Sequence, residues 1–205
     1  MEILGGLYAV SDWIQILSLA TGIIYMVMQV FQHKWMWYLG LCTAGAACIV
    51  ALVNFEDGVW APLWAQVALN AYFFVMDLVG IRSWRKLGEK SGGELHIVKL
   101  PRIAVLTYGI AFVALAPLMI WLLSLTNDPE PFADGFTFAL SIVAQLMLTR
   151  SHLEQWFVWI AADLMAINVY AGTSNWWMVA LYACYTINSL IGIYWWREKG
   201  KYVEN

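Results

Sequence analysis

Long apolar stretches alternate with short polar segments along the entire chain. Seven of these stretches approach the roughly 20 residues that a helix needs to cross the hydrocarbon core of a bilayer. They fall at residues 13–32, 35–53, 59–81, 103–125, 133–149, 153–171 and 175–196. The pattern predicts an all-α integral membrane protein with seven transmembrane helices.

The third and seventh apolar stretches are copies of one segment. Residues 64–85 and 176–197, which lie 112 positions apart, are identical at 10 of 22 positions without a gap, and both copies end in Gly-Ile-x-x-Trp-Arg. Duplication inside a hydrophobic chain is typical of transporters. Because four crossings separate the copies, they run in the same direction, and the prediction is a parallel repeat of three plus one plus three helices.

A polar stripe supports a second correspondence, between the first and fifth stretches. Each stripe has spacings of 3, 4 and 4, which place its side chains on one helical face. The stripes consist of Ser18, Thr21, Tyr25 and Gln29, and of Asp134, Thr137, Ser141 and Gln145. This aligns the two stretches with an offset of 116 residues. Trp37 and Trp159 are a weak match between the second and sixth stretches.

Charge is scarce and unevenly distributed. Hydrophobic residues make up 62% of the chain and charged residues 12%, far from the balance of a soluble domain. All 11 basic residues fall in alternate connections or at the ends of the same helices, whereas the opposite connections hold only acidic charges. The positive-inside rule predicts an N-terminus outside and a C-terminus in the cytoplasm.

The only long polar connection divides three spans from four. The predicted organisation is an N-terminal three-helix repeat, a cytoplasmic linker, a linking helix, a C-terminal three-helix repeat and a cytoplasmic tail. Their bounds are 1–84, 85–102, 103–127, 128–197 and 198–205.

Several polar and aromatic side chains come to a similar depth near the middle of the predicted spans, and we expect them to line one substrate site. Asp163 is the informative charge, because an ionised carboxylate near the bilayer centre costs at least about 2.5 kcal/mol. No Lys or Arg lies inside any predicted span to pair with it. It is protonated, hydrogen-bonded to neighbouring hydroxyls, or matched by a cationic substrate. The candidate site comprises Gln66, Asn70, Ser141, Gln145, Trp159, Asp163, Tyr182, Tyr185 and Asn188.

Most of the 13 tryptophans suit the aromatic belts at the membrane interfaces. The predicted anchors are Trp13, Trp35, Trp60, Trp84, Trp176 and Trp196. Trp159 shares a helical face with Asp163, where a flat ring could stack on a planar ligand or hold a cation. Gly80 and Gly192, which end the two copies, are interpreted as close-packing points rather than hinges.

Taken together, these residues resemble the PnuC family of vitamin and nucleoside transporters over nearly the whole chain. The resemblance is carried by AQLMLTRSHLEQWFVWIAAD at 144–163, by LYACYTINSLIGIYWW at 181–196, and by the spacing of Gln66, Gly80 and Trp84. It implies a fold similar to that of full-length SWEET transporters and uptake of nicotinamide riboside by facilitated diffusion, without a cofactor. It also implies a homotrimer in the bacterial cytoplasmic (inner) membrane and trapping of the substrate by a cytoplasmic riboside kinase.

The resemblance suggests a role for each candidate residue. Trp159 and Tyr185 would stack on the pyridinium ring, and Asp163 would favour its charge. The carboxamide and ribose would be hydrogen-bonded by Gln66, Asn70, Gln145 and Asn188. Thiamine, riboflavin and deoxynucleosides remain alternative substrates, because relatives of this kind carry them on the same frame.

Two other classes of protein also have several membrane spans. A retinal protein needs a lysine inside the seventh span, which is absent, and a heptahelical receptor would not repeat its third span as its seventh. A membrane enzyme would need a nucleophile or metal motif, and neither G-x-S-x-G nor HExxH spacing occurs. We therefore expect a protein that is not an enzyme, has no catalytic or metal-binding residue, and has a solute and the lipid bilayer, not nucleic acid, as partners.

Overall fold

Helices dominate the fold. The computed structural model describes residues 13–14, 17, 20–56, 59–60, 62–91, 96–125 and 130–203. Within these residues the helices are α1 (Ala20–Val30), α2 (Met36–Leu52), α3 (Trp64–Ser91), α4 (Arg102–Ser124), α5 (Pro131–Thr149), α6 (Gln155–Gly172) and α7 (Trp176–Lys199). The strands are β1 (Phe55–Glu56), β2 (Val59–Trp60), β3 (His96–Val98) and β4 (Lys201–Val203).

Four of the helices, α3, α4, α5 and α7, are long and apolar enough to cross a bilayer, and α1 and α2 are shorter apolar helices. Helix starts follow local chemistry. Pro131 opens α5 at a position where its missing N–H costs nothing. The Asn175 side chain accepts a hydrogen bond from the backbone N–H of Met178 and caps α7. The chain is a multi-pass membrane protein.

The chain divides into two compact units, residues 1–82 and 83–205. In the first unit, the Thr43 hydroxyl of α2 donates to the Thr21 hydroxyl of α1 over 2.8 Å. Helices α2 and α3 approach closely at Gly40, which faces the Asp77 carboxylate, and β1 pairs with β2 in antiparallel fashion. Small residues let the helix backbones come together.

In the second unit, α4 packs on α5, α5 on α6 and α6 on α7. Helix α5 is the most buried of the four spanning helices, with 56% of its most apolar 18 residues buried against 11% for both α4 and α7. In the polar stripe of α5, Ser141 and Gln145 are buried whereas Asp134 is exposed. The outer face of α4 is exposed and apolar.

The turn between α1 and α2 and the turn between α5 and α6 have the same backbone conformation. They align the two repeats differently from the polar stripes. His33 N–H bonds to Met28 O over 3.0 Å, and His152 N–H bonds to Met147 O over 3.1 Å. Each turn also holds one non-glycine residue at positive φ, Gln32 at 47° and Ser151 at 57°. These pairs lie 119 residues apart, so the predicted offset of 116 was wrong. The polar stripes suggested the offset of 116 because a shift of three or four residues keeps side chains on the same helical face.

The equivalent of Trp37 in the second repeat is Trp156, not Trp159 as predicted. A Cβ added to Gly80 would overlap the Trp37 ring, and one added to Gly192 would lie 2.5 Å from the Trp156 ring. Each glycine thus makes room for a tryptophan of the preceding helix. The interpretation of both glycines as close-packing points is confirmed.

Replacing Gly192 with alanine is expected to lower the free energy of unfolding by about 1–3 kcal/mol, because an extra methyl group forces a packed aromatic ring to move. Thermal unfolding in detergent measures this. Gly109→Ala is the matched control, since Gly109 also lies in a helix and a Cβ there meets nothing within 4 Å. Equal melting temperatures for the two variants would contradict the packing role.

The linker predicted at 85–102 is partly helical and partly extended. Helix α3 continues to Ser91, supported by an ion pair between Arg85 and Glu89 at 3.5 Å, one helical turn apart. Farther along, β3 pairs in parallel with β4, which follows α7.

Two of the predicted membrane-interface anchors are instead core residues. Trp84 is 5% exposed and Trp196 is fully buried, and their rings lie 6.2 Å apart. The prediction was wrong for both, because the interface belt and a packed core use the same residue type. Trp13, Trp35 and Trp176 are exposed as expected, and the side chain of Trp60 lies outside the described residues.

Candidate functional site

One face of α6 carries two large aromatic side chains and a carboxylate. Trp159, Asp163 and Tyr170 lie at i, i+4 and i+11, which brings them to the same side of the helix. Asp163 is 4% exposed. The facing helix α7 contributes Tyr182 and Tyr185, which are half-buried.

Three tyrosines form an aromatic cluster between these helices. The rings of Tyr170 and Tyr182 stack with an interplanar angle of 17° and 5.6 Å between centroids. The rings of Tyr182 and Tyr185 meet edge to face at 5.5 Å. Such a cluster presents both ring faces and ring edges, which suit a flat or cationic ligand.

Asp163 lies on the same face of α6 as Tyr170 and is close enough to Tyr182 and Tyr185 to act electrostatically on both. Within the described part of the chain, no basic side chain makes an ion pair with it. A buried carboxylate without a counter-charge is costly in a membrane and marks a functional site.

Two rings of the cluster, those of Tyr170 and Tyr182, lie between Asp163 and the turn that joins α6 to α7. Asp163 is nine residues before Gly172, the end of α6, or about 14 Å along the helix axis. Tyr170 is two residues from that end, and Tyr182 is six residues from Trp176, the start of α7. A solute arriving from the α6–α7 turn would therefore meet Tyr170 and Tyr182 before the carboxylate, with Tyr185 at about the depth of Asp163.

Helix α5 supplies a polar stripe to the same unit. The Ser141 hydroxyl donates to Thr137 O over 2.9 Å, and Ser141 and Gln145 are both buried. The Thr137 hydroxyl is buried and has no hydrogen-bond partner among the described residues. The Nε1 atom of Trp159 is also buried and has no hydrogen-bond partner among the described residues. Two buried donors are thus available to a bound solute.

Farther along α7, the residue that follows the predicted Asn188 is more buried than Asn188 itself. Ser189 is buried, whereas Asn188 is half-buried. Tyr182, Tyr185 and Ser189 follow spacings of 3 and 4, the pattern of a helix face packed on a partner.

The two remaining predicted residues belong to the first unit. Gln66 is exposed and Asn70 is half-buried, and the Asn70 side-chain amide donates to Gln66 O over 2.8 Å. The first unit also buries Asp77.

The sequence reasoning did not include Tyr170 in the site, and it placed Asp134 only in a stripe. Tyr170 shares the helical face of Asp163 at i+7, a spacing that would have found it. Asp134, in the first turn of α5, interacts electrostatically with Tyr182. No local signal links these two, because α5 and α7 are far apart in the chain.

Among the described residues, no group of three His, Cys, Asp or Glu side chains is placed to hold a metal ion. The site therefore consists of an aromatic cluster, a buried carboxylate and buried hydrogen-bond donors within a bundle of apolar helices. Together the fold and these residues define a multi-pass membrane protein with polar and aromatic side chains buried among its helices.

Comparison with known proteins identifies the family. Residues 12–198 match the family described as nicotinamide mononucleotide transporter, and the chain belongs to it, as the resemblance to PnuC proteins indicated. Two relatives carry the name nicotinamide riboside transporter PnuC. The Escherichia coli protein is 22% identical over 92% of this chain and 88% of its own length. The Neisseria mucosa protein is 29% identical over 92% of this chain and 73% of its own length.

The fold is also shared with a solved structure. The crystal structure of the vitamin B3 transporter PnuC superposes with a TM-score of 0.68 at 24% identity. It covers 95% of this chain and 87% of that protein.

Proposed function

We propose that this chain takes up nicotinamide riboside by facilitated diffusion. One observation carries the proposal: the buried Asp163 carboxylate, without an ion-pair partner among the described residues, lies on the same face of α6 as Tyr170, whose ring stacks on Tyr182. Nicotinamide riboside has a flat pyridinium ring with a fixed positive charge, and the names of the relatives from Escherichia coli and Neisseria mucosa support the same solute.

The charge of the site favours the riboside over the mononucleotide. Nicotinamide mononucleotide adds a phosphate that carries about 1.5 to 2 negative charges near neutral pH. Phosphate sites use Arg or Lys side chains, yet the predicted spans contain neither. An acidic site would attract the cationic ring and repel the phosphate.

Each part of the riboside has a candidate partner. Trp159, Tyr182 and Tyr185 would hold the ring through stacking and cation–π contacts. Asp163 would balance its charge. The carboxamide and the ribose hydroxyls would bond to Ser141, Gln145 and Asn188. Gln66 and Asn70 keep the hydrogen-bonding role that the resemblance implies for them.

The proposed architecture is the three-plus-one-plus-three parallel repeat of seven spans, similar to SWEET transporters, assembled as a homotrimer in the bacterial inner membrane. The distribution of basic residues supports an outside N-terminus and a cytoplasmic C-terminus. A cytoplasmic kinase would phosphorylate the riboside, and the added charge would prevent its return through the acidic site.

The test is a titration of purified protein with four solutes: nicotinamide riboside, nicotinamide mononucleotide, thiamine and uridine. Intrinsic tryptophan fluorescence reports binding, since 13 tryptophans include Trp159 at the site. We expect saturable binding of the riboside at least about tenfold tighter than of the mononucleotide, a difference of about 1.4 kcal/mol. Tighter binding of another solute would assign that solute instead, and counterflow in liposomes would then confirm transport.

A further inference from the structure

Exposed basic side chains collect at one end of the second unit. They lie where α3, α5 and α7 end and where α4 begins. Among the described residues of these helix ends, the exposed acidic side chains are Glu89 and Glu198, so positive charge is in excess. We name the exposed basic set the basic rim, which consists of Arg85, Lys86, Arg102, Arg150, Arg197 and Lys199.

Tertiary contacts bring the helix ends of the basic rim together. The rings of Trp84 and Trp196 lie 6.2 Å apart, and each tryptophan is followed directly by an arginine of the rim. The Trp84 indole N–H donates to Leu148 O over 3.0 Å, which joins the end of α3 to the end of α5. The guanidinium carbon of Arg150 lies 5.9 Å from the ring centroid of Tyr108 in α4. The rim is thus assembled by contacts among four helices.

The lengths of the helices place the basic rim at the depth of the lipid headgroups. A helix needs about 20 residues to cross the hydrocarbon core. Arg85 comes 21 residues after Trp64, the start of α3, and Arg197 comes 21 residues after Trp176, the start of α7. Arg150 directly follows the 19 residues of α5. These three arginines therefore lie just beyond the hydrocarbon.

Little of the rim's charge is neutralised by other described residues. Arg85 pairs with Glu89 at 3.5 Å, but the two side chains are 82% and 68% exposed, and such surface pairs are weak. Lys86, Arg197 and Lys199 make no ion pair with another described residue. Because like charges that are held close together repel one another, this end of the unit favours an anionic partner.

Apolar side chains border the basic rim on its membrane side. Ile103 and Leu106 of α4 are exposed next to Arg102, and Ile191 and Tyr194 of α7 are exposed in the turns before Arg197. An anionic lipid offers a partner to both groups, since its phosphate accepts hydrogen bonds from Arg and Lys and its acyl chains contact apolar side chains. A small soluble phosphate compound offers only the first of these contacts.

We propose that the basic rim binds the phosphate headgroups of anionic phospholipids such as phosphatidylglycerol. Basic side chains just outside a membrane-spanning helix attract anionic lipids over a short range, because salt screens the attraction. The contact between Trp84 and Trp196 keeps the arginines that follow them at neighbouring helix ends. Lipid bound to the rim therefore bridges α3 and α7.

The lipid affinity of the protein purified in detergent tests this proposal. Native mass spectrometry compares phosphatidylglycerol with phosphatidylcholine of identical acyl chains. We expect the wild type to bind phosphatidylglycerol at least about tenfold more tightly, because several cations act on one headgroup charge. The combined variant Arg85→Gln, Lys86→Gln, Arg197→Gln and Lys199→Gln should reduce this preference to within about twofold. Equal affinities in the wild type, or an undiminished preference in the variant, would overturn the proposal.

The matched control is Glu89→Gln combined with Glu198→Gln. It changes exposed side chains at the ends of α3 and α7, where the four basic substitutions also lie, but it removes negative charge. The preference for phosphatidylglycerol should remain. If the control also lost the preference, the helix ends would be responding to any substitution, and the role of positive charge would be refuted.

Two measurements on the wild type need no variant. Raising the ionic strength from about 0.05 to 0.5 M should lower the preference at least about threefold, since the Debye length falls. A large excess of glycerol 1-phosphate, which has a phosphate but no acyl chains, should not displace the lipid. A preference that is insensitive to salt would contradict the proposal, and displacement would assign the rim to soluble phosphate compounds instead. None of these measurements uses nicotinamide riboside, so their outcome is independent of the proposed solute.

Discussion

Replacing Asp163 with asparagine is expected to weaken binding and uptake of nicotinamide riboside by about 10- to 100-fold, or about 1.4–2.8 kcal/mol. Asparagine keeps the size and hydrogen-bonding capacity of the side chain but removes the charge that balances the pyridinium ring. The carboxylate is 4% exposed, so little water screens this interaction.

The selectivity of this effect distinguishes charge matching from general damage. Dihydronicotinamide riboside has nearly the same shape but no positive charge, and its uptake by Asp163→Asn should fall less than about threefold (0.7 kcal/mol). Glu198→Gln is the control for losing a carboxylate, because Glu198 is exposed near the end of α7. Equal losses for the charged and uncharged ribosides would refute the charge-matching role.

Replacing Tyr182 with alanine is expected to weaken riboside binding by about tenfold, since aromatic and cation–π contacts contribute about 0.5–2 kcal/mol each. Tyr182 is the middle ring of the cluster and contacts both Tyr170 and Tyr185. Its loss removes one ring face and frees the other two rings to move. Binding by fluorescence titration and melting temperature are measured together.

Two further variants show whether the ring itself is responsible. Tyr182→Phe keeps the ring and should bind nearly as well as the wild type. Tyr194→Ala removes a tyrosine of the same helix that is 66% exposed, and should leave binding unchanged. If Tyr182→Phe loses as much affinity as Tyr182→Ala, the hydroxyl group and not the ring makes the contact.

The candidate site could be predicted from sequence only within single helices. Asp163 and Trp159 stand out because charge and large aromatic groups are unusual on the polar face of an apolar helix. Tyr170 was missed, although it shares that face, because nothing in the sequence says that it stacks on Tyr182. Stacking joins residues of different helices, and periodicity within one helix does not determine its neighbour.

The alignment of the two repeats could likewise be predicted from sequence only in part. The segments at 64–85 and 176–197 begin helices at Trp64 and Trp176, as their identities indicate. The first helices of the repeats were misaligned, because Gln29 and Gln145 fit a common stripe. The two turns with positive φ, and the tryptophans packed on Gly80 and Gly192, determine the alignment instead.

By itself, the sequence determined that this protein has apolar helices in series, a duplicated helix and an acidic residue within one span, since each of these is a property of local composition and spacing. Only the tertiary structure decided that Trp84 and Trp196 are buried, that part of the polar linker is a strand, and that His152 bonds to that strand. These depend on contacts between residues far apart in the chain, and such contacts have no signature in either segment alone.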